Sequence, residues 1–244
     1  MYPLTLLPVV PDDLNTMDSR VALRYQTSFM KNALIRALNN VYEQAQRIGD
    51  SGHQDFKPFM AYCRIVGDML RLQYEGDDLF FAKSGTNKVS LDQILGGAWT
   101  NSLHWKKVPE TLKTWDAKLR DWLENPTTYR GIGLCALLDE MEAPLNKGLF
   151  ELIEVAKSEI LSQKFSDEEM HAMIGEHILW LSSNSDVTVL LPFCTSHHDP
   201  LTSKFWPIIT EEGLAALPEL AEQHSSQWAL APFDPVKRVR NLKA

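Results

Sequence analysis

The sequence predicts an all-α protein, an up-down four-helix bundle followed by a C-terminal helical and irregular extension. Apolar residues recur at alternating spacings of three and four along four long stretches, which keeps one face of each helix against its neighbours. The links between these stretches are mostly short, and no region shows the two-residue alternation of several strands. We therefore expect a single domain over residues 1–244, with the bundle at 17–163 and the extension at 164–244 packed on it.

Start and stop signals place each helix. The bundle helices are predicted at residues 18–47, 56–81, 98–124 and 132–161. The first ends at Gly49-Asp50-Ser51-Gly52, a strong stop signal. Pro109 in the third helix and Pro144 in the fourth each remove a backbone donor, so both helices are expected to bend. In the extension, a capping box at Ser166 starts a fifth helix that reaches about residue 181, and a short helix is expected near 211–223.

Composition narrows the class of function. The chain has 244 residues, a formal net charge of −8 and a pI of about 5.4, which argues against a nucleic-acid or anionic-membrane surface. Its three cysteines are an odd number and lie far apart, as is typical of reduced thiols in a cytosol-like compartment. No apolar run is long enough to span a bilayer. We expect a cytoplasmic protein with a small-molecule partner, no nucleic acid and no membrane. The sequence does not set its oligomeric state.

The second predicted helix contains the most informative misfit. Its inward positions are Phe59, Cys63, Val66, Leu70, Gln73, Asp77 and Phe80. Gln73 and Asp77 are consecutive polar residues on an otherwise apolar stripe. A buried carboxylate without a partner is costly, so Asp77 must meet a cation, a donor or water. A polar break of this kind is where a helical bundle keeps a site.

Polar residues also interrupt two other predicted stripes, with Lys31 on the first helix and His104 on the third. In an up-down bundle these positions lie at one level with Gln73 and Asp77. Lys31 and Asp77 are then expected to form an ion pair, with Gln73 and His104 completing the hydrogen bonds. Gly148 on the fourth helix is expected to leave space beside them.

The predicted pocket has a polar centre and an apolar wall formed by Val108 and Leu152, with Trp105 at its border. Burial pushes lysine and histidine toward neutrality, while an adjacent carboxylate holds them charged, so their pKa values can approach neutral pH. Such a pocket suits proton transfer. The alternative interpretation is a structural ion pair with a hydrogen-bonded histidine.

Several sequence runs carry a resemblance to a known family. The run that opens with Lys31-Asn32 is similar to a first-helix signature that opens with histidine and asparagine. Asp77-Asp78-Leu79-Phe80-Phe81 is similar to the end of the same family's second helix. Further similar runs are Pro192-Phe193, His198-Asp199, Phe205-Trp206-Pro207 and Trp228-Ala229-Leu230-Ala231-Pro232-Phe233-Asp234-Pro235. In their order and spacing, these runs resemble the fungal hemerythrin-like family, also called HHE cation-binding proteins.

The resemblance implies a bundle whose members hold two iron ions between the helices. Carried over position by position, the family's ligands fall on Lys31, Gln73, Asp77, His104, Val108, Gly148 and Leu152. Only His104 is retained, and Asp77 is shorter than the family's glutamate. One histidine and one aspartate do not supply a di-iron site. We therefore expect no metal and no cofactor, with Lys31 as a substitute cation opposite Asp77.

Three functional hypotheses follow. The first is a metal-independent, non-redox enzyme of isomerase, cyclase or lyase type that acts on a small organic molecule, with fungal secondary-metabolite biosynthesis as the setting that the resemblance implies. In it, Lys31 stabilises negative charge or donates a proton, Asp77 orients Lys31 or acts as base, His104 carries a proton and Gln73 positions a polar substrate atom. The second is a non-catalytic small-molecule-binding or interaction protein. The third is a protein that retains one metal through other ligands.

Other candidate residues are assigned structural roles. Adjacent residues point in different directions, so His197-His198-Asp199 is predicted to be a turn or cap rather than a metal cluster. Glu168, His171 and His177 on the fifth helix are predicted to lie on a solvated face. Cys63 is predicted to be a small core residue rather than a nucleophile.

Overall fold

The described part of the chain is helical in every regular element and contains no β-strand, as predicted. The computed structural model describes residues 2–82, 89–102, 104–155 and 158–241. Its α-helices are α1 (Ser19–Arg47), α2 (Phe56–Ala82), α3 (Leu91–Ile94), α4 (Val108–Glu124), α5 (Gly131–Val155), α6 (Ser158–Leu161), α7 (Asp167–Ser183), α8 (Val187–Ser196), α9 (Glu211–Glu222) and α10 (Ser225–Trp228). Short 3-10 turns lie at Leu14–Thr16, Trp105–Lys107 and Pro126–Thr128. Helix α8 was not predicted.

Local signals explain where α1 and α7 begin. The Asp18 carboxylate accepts a hydrogen bond from the backbone N–H of Arg20, which satisfies one donor at the start of α1. The predicted capping box of α7 is confirmed. The hydroxyl of Ser166 accepts from the N–H of Glu169 at 3.1 Å, and the Glu169 carboxylate accepts from the N–H of Ser166 at 2.9 Å.

The third long helix is shorter than predicted. It begins at Val108 rather than near residue 98, so Pro109 lies in its first turn, where the missing N–H has no intrahelical partner to lose. The predicted bend at Pro109 is therefore wrong. Before it, Gly96 and Gly97 have φ values of +71° and +77°, a left-handed conformation that L side chains rarely adopt. The chain there turns instead of continuing a helix.

The long helices pack on one another in a manner compatible with a helical bundle. Helix α1 packs against α2 and α5, α2 packs against α4, and α4 packs against α5. Helix α7 lies against both α1 and α2, so it adds a wall beside the pair of helices that carry Lys31 and Asp77. None of the helices in the described residues is long and apolar enough to cross a lipid bilayer.

Hydrogen bonds connect the C-terminal part of the chain to α1 and α2. The amide of Asn40 donates to the carbonyl of Leu230 at 2.8 Å and to the Tyr62 hydroxyl at 3.1 Å. The Tyr62 hydroxyl lies 2.6 Å from Nε2 of His197. One continuous cluster of buried side chains runs from Tyr2 to Ala231. The C-terminal elements therefore share a core with the long helices.

Helix α5 approaches α1 most closely at Gly131, the first residue of α5. A Cβ at this position would lie 1.9 Å from the carbonyl oxygen of Ala45 on α1, and backbone atoms cannot give way locally. We expect Gly131→Ala to lower the free energy of unfolding by about 3 kcal/mol. For a chain of this size, this corresponds to a fall of roughly 6–12 °C in the melting temperature.

Gly175 provides a matched control for this substitution. It lies inside α7, and a Cβ there would meet nothing within 4 Å. Gly175→Ala is expected to raise stability by about 0.5–1 kcal/mol, because alanine loses less backbone entropy in a helix. Equal melting temperatures for the two variants would contradict the close contact between α1 and α5.

Candidate functional site

The polar break on α2 faces a lysine from α1. The Lys31 ammonium donates a hydrogen bond to Oε1 of Gln73 at 3.0 Å and another to Oδ2 of Asp77. The side chains of Lys31 and Asp77 are only 1% and 5% exposed. The predicted ion pair is therefore confirmed, and it is buried.

Helix geometry explains how these three residues meet. Gln73 and Asp77 are four residues apart, so their side chains lie on the same face of α2, which packs against α1. The Trp105 ring lies 5.5 Å from the Lys31 ammonium, within the range of a cation–π contact. Trp105 thus contacts Lys31 from a 3-10 turn, but it does not line the cavity described below, although the sequence predicts it at the border of the pocket.

Burial sets the electrostatics of the pair. Removal from water lowers the pKa of Lys31 below its usual value of 10.5, while the charge and the hydrogen bond of Asp77 act in the opposite direction. Among the described residues, Nε2 of Gln73 has no hydrogen-bond partner, although the atom is buried. The Gln73 amide orientation is fixed because its oxygen accepts from an ammonium.

A cavity of about 560 Å³ lies beside the ion pair, between α1, α2, α7, α8 and the segment 206–213. Its volume is in the range of pockets that hold drug-sized molecules. Most of its lining is apolar. The apolar side chains include Leu14, Met17, Ala22, Leu23, Met30, Phe80, Phe81, Ile174, Ile178, Leu181, Leu190, Leu191, Trp206, Ile208 and Ile209. The most deeply buried polar residues of the lining are Lys31, Gln73 and Asp77.

His177 on α7 joins the ion pair to this cavity. Its Nε2 lies 3.9 Å from Oδ1 of Asp77, and its side chain, 20% exposed, lines the cavity. Burial lowers the pKa of His177 below 6.5; Asp77 opposes this change and Lys31 adds to it. At neutral pH the ring is therefore uncharged and able to accept a proton. The prediction that His177 lies on a solvated face is wrong.

Two sequence signals indicate this position in retrospect. His177 follows Met173 by four residues and precedes Leu181 by four, and both of these residues are buried. It therefore lies on the buried stripe of α7. On α2, a Cβ on Gly76 would lie 3.1 Å from Cε1 of His177 and 2.8 Å from Leu181, so glycine allows α7 to approach α2 closely.

The structure places His104 away from the ion pair. Its Nδ1 lies 2.9 Å from Oε1 of Glu151, its side chain is 30% exposed, and it does not line the cavity. The prediction assumed a helix from residue 98. Because His104 precedes α4, helical spacing does not carry it to the level of Lys31 and Asp77.

The predicted apolar wall also differs from the structure. Val108 is buried in the core but does not line the cavity. A Cβ on Gly148 would lie 3.0 Å from the backbone nitrogen of Trp105, so this glycine permits close packing against the turn that carries Trp105, and it does not line the cavity beside the ion pair. The Leu152 side chain lies outside the described part of the chain.

The residues at the ion pair do not fit the di-iron centre that the sequence resemblance implies. A single carboxylate, a glutamine and a lysine ammonium face one another, and the ammonium brings positive charge to the place of a cation. Within the described ranges, no three His, Cys, Asp or Glu side chains are grouped closely enough to hold a metal ion.

The histidines of the His197-His198-Asp199 run are structural, as predicted. His197 Nδ1 lies 2.9 Å from the carbonyl of Phe193 and therefore carries the hydrogen, so Nε2 accepts from the Tyr62 hydroxyl. His198 Nε2 lies 2.8 Å from the carbonyl of Ser203. Cys63 is free and fully buried, and burial raises its pKa well above 9, which makes it unreactive.

Comparison with known proteins adds no relative: no family model, no curated protein and no solved structure matches the chain. The functional interpretation therefore depends on the geometry of the cavity and of the charged groups at its base.

Proposed function

We propose that the cavity binds a small organic molecule and that the groups at its base catalyse a non-redox, acid–base reaction of isomerase, cyclase or lyase type. One observation carries this proposal. A buried lysine–aspartate pair, with a neutral histidine beside it, lies at the base of a largely apolar cavity of about 560 Å³. Low-dielectric surroundings of this kind are where proton transfer between fixed groups is efficient.

His177 is the group placed to exchange a proton with a bound molecule. Its neutral imidazole accepts a proton from a substrate carbon, and the resulting imidazolium is stabilised by the Asp77 carboxylate. Return of the same proton to another substrate atom gives an isomer, with no change in oxidation level. Lys31 holds Asp77 in place and adds positive charge beside the site where negative charge develops.

We further propose that α1, α2, α4 and α5 are the up-down bundle of a hemerythrin-like protein that has lost its metal ligands. In support of this arrangement, α1 contacts α2, α2 contacts α4, α4 contacts α5, and α5 contacts α1. Lys31 and Asp77 lie against each other across α1 and α2, where the family's ligands would face each other.

A second function, small-molecule binding without catalysis, is favoured by the low exposure of the pair. The side chains of Lys31 and Asp77 are 1% and 5% exposed, so little of their surface is available to a bound molecule. In this case the ion pair is structural and the apolar lining alone holds the ligand.

Proton abstraction from an uncharged probe distinguishes the two functions. In 5-nitrobenzisoxazole, removal of one carbon-bound proton opens the ring and releases a coloured cyanophenolate, with no oxidant or reductant. We expect saturable catalysis by the protein. His177→Phe keeps an aromatic ring against Phe80 and is expected to lower kcat by about 100-fold. The readout is absorbance of the phenolate at neutral pH.

His53→Phe is the matched control, since His53 lies in the turn between α1 and α2 and does not line the cavity. It is expected to leave the rate unchanged. Saturable binding of the probe without catalysis would favour the non-catalytic function. Loss of activity in His104→Ala but not in His177→Phe would contradict the placement of the proton acceptor.

A further inference from the structure

The lysine and the carboxylate side chains that line the cavity carry opposite charges that cancel. Among its lining residues, all from the described part of the chain, Lys31 and Asp77 are the only lysine, arginine, aspartate or glutamate side chains. They are hydrogen-bonded to each other. The polar remainder consists of amide, hydroxyl, thiol and imidazole groups. The imidazoles are those of His171, which is exposed, and of His177, whose ring is uncharged at neutral pH.

A charged ligand would disturb the pairing of Lys31 with Asp77. A carboxylate or phosphate inside the cavity would compete with Asp77 for Lys31, and an ammonium would compete with Lys31 for Asp77. In either case one charge is left buried without a partner, which costs several kcal/mol in apolar surroundings. An uncharged ligand leaves the pair intact.

Some of the residues that line the cavity are also exposed at the protein surface. Ile178, Val187 and Ile208 line the cavity and are also 38%, 65% and 51% exposed. These side chains come from α7, from the start of α8 and from the segment that follows Trp206. These exposed apolar side chains lie among exposed polar lining residues, Asn15, His171, Ser182 and Thr210, and none of the exposed lining residues is an acid, a lysine or an arginine. The apolar side chains offer an uncharged apolar molecule favourable contact.

We infer that the natural ligand is an uncharged, largely apolar molecule of drug-like size whose hydrogen-bonding group lies against His177, rather than an acid, a phosphate or an amine. This inference rests on the proposed function, since it names the substrate class of the same cavity. It follows from the mutual pairing of Lys31 and Asp77, the largely apolar lining and the exposed apolar side chains of Ile178, Val187 and Ile208.

The inference is tested with three probes that share a ten-carbon alkyl chain and differ in the head group. They are decan-1-ol, decanoate and decylammonium. Their dissociation constants are measured at pH 7.5 by calorimetry, below the concentrations at which they aggregate. We expect decan-1-ol to bind about tenfold or more tightly than either ion. Stronger binding of decanoate or decylammonium would overturn the inference and leave the cavity as a binding site. Binding of none of the three would overturn the proposed function as well.

Charge variants show whether the pair sets this preference. Asp77→Asn leaves Lys31 without its counter-ion, so it is expected to improve binding of decanoate relative to decan-1-ol by about tenfold or more. The charge-balanced control is the double variant Lys31→Met/Asp77→Leu, which is expected to keep the preference for decan-1-ol. If the folded Asp77→Asn variant keeps the wild-type ratio of the affinities for decanoate and decan-1-ol, the assigned role of the pair is contradicted. The comparison of the three probes on the wild-type protein does not depend on any variant.

Discussion

Lys31→Met is expected to lower the free energy of unfolding by about 3–5 kcal/mol, because it leaves the Asp77 carboxylate buried without its cation. Methionine has nearly the shape of the lysine stem, so the loss does not arise from a cavity. Gln73 also loses the donor to its Oε1. The measurement is chemical denaturation at pH 7 of the wild type and the variant.

Lys113→Met is the matched control. Lys113 pairs with Glu110 at 2.8 Å, but the two side chains are 73% and 76% exposed. Water screens such a pair, so the same substitution is expected to change stability by no more than about 0.5 kcal/mol. Adding Asp77→Leu to Lys31→Met is expected to restore wild-type stability or exceed it, since two apolar side chains then replace the pair.

The double variant also separates stability from function. Restored stability without catalysis of the benzisoxazole probe indicates that the pair serves the reaction. A single Lys31→Met substitution with wild-type stability would contradict the burial of Asp77 against Lys31.

Acid is expected to unfold the protein between about pH 6.5 and pH 4.5. Burial lowers the pKa of His197 to about 3 and that of His198 to about 4, and both side chains are fully buried. Below pH 6.5 the unfolded chain binds protons that the folded chain does not, so stability is complete above this pH and falls as pH decreases. Over two pH units the two histidines together cost about 5 kcal/mol. Burial of His177 acts in the same direction.

The pH dependence of unfolding in urea measures this effect. Between pH 6 and pH 4.5, His198→Gln is expected to reduce the slope by about one proton, because glutamine does not titrate. Its amide is able to donate to the Ser203 carbonyl as the imidazole does. His53→Gln is the control, since His53 is partly exposed. A wild-type stability equal at pH 7 and pH 4.5 would show that these histidines titrate normally.

The sequence was sufficient to predict the ion pair but not the cavity. Lys31, Gln73 and Asp77 lie within long helices, where periodicity determines which side chains face a neighbour. The cavity instead depends on how α7, α8 and the segment 206–213 pack against α1 and α2. Packing between elements distant in sequence is not encoded in the pattern of any one helix.

The two histidines illustrate the same difference. His104 was placed on a helix because residues 98–124 keep an apolar period, yet Pro109 starts the helix there rather than bending it. His177 was assigned to solvent, although it shares a stripe with Met173 and Leu181. Proline is compatible with both a first turn and a kink, and a short amphipathic helix does not show which other helix covers it.

A crystal structure of the protein grown with decan-1-ol would show whether the cavity holds an uncharged apolar molecule beside an intact ion pair. We expect the alcohol in the cavity between α1, α2 and α7, its hydroxyl next to His177, and the Lys31 ammonium still hydrogen-bonded to the Asp77 carboxylate. A Lys31 side chain turned to solvent would contradict this expectation. So would iron bound between the helices, or side chains packed where the alcohol should lie.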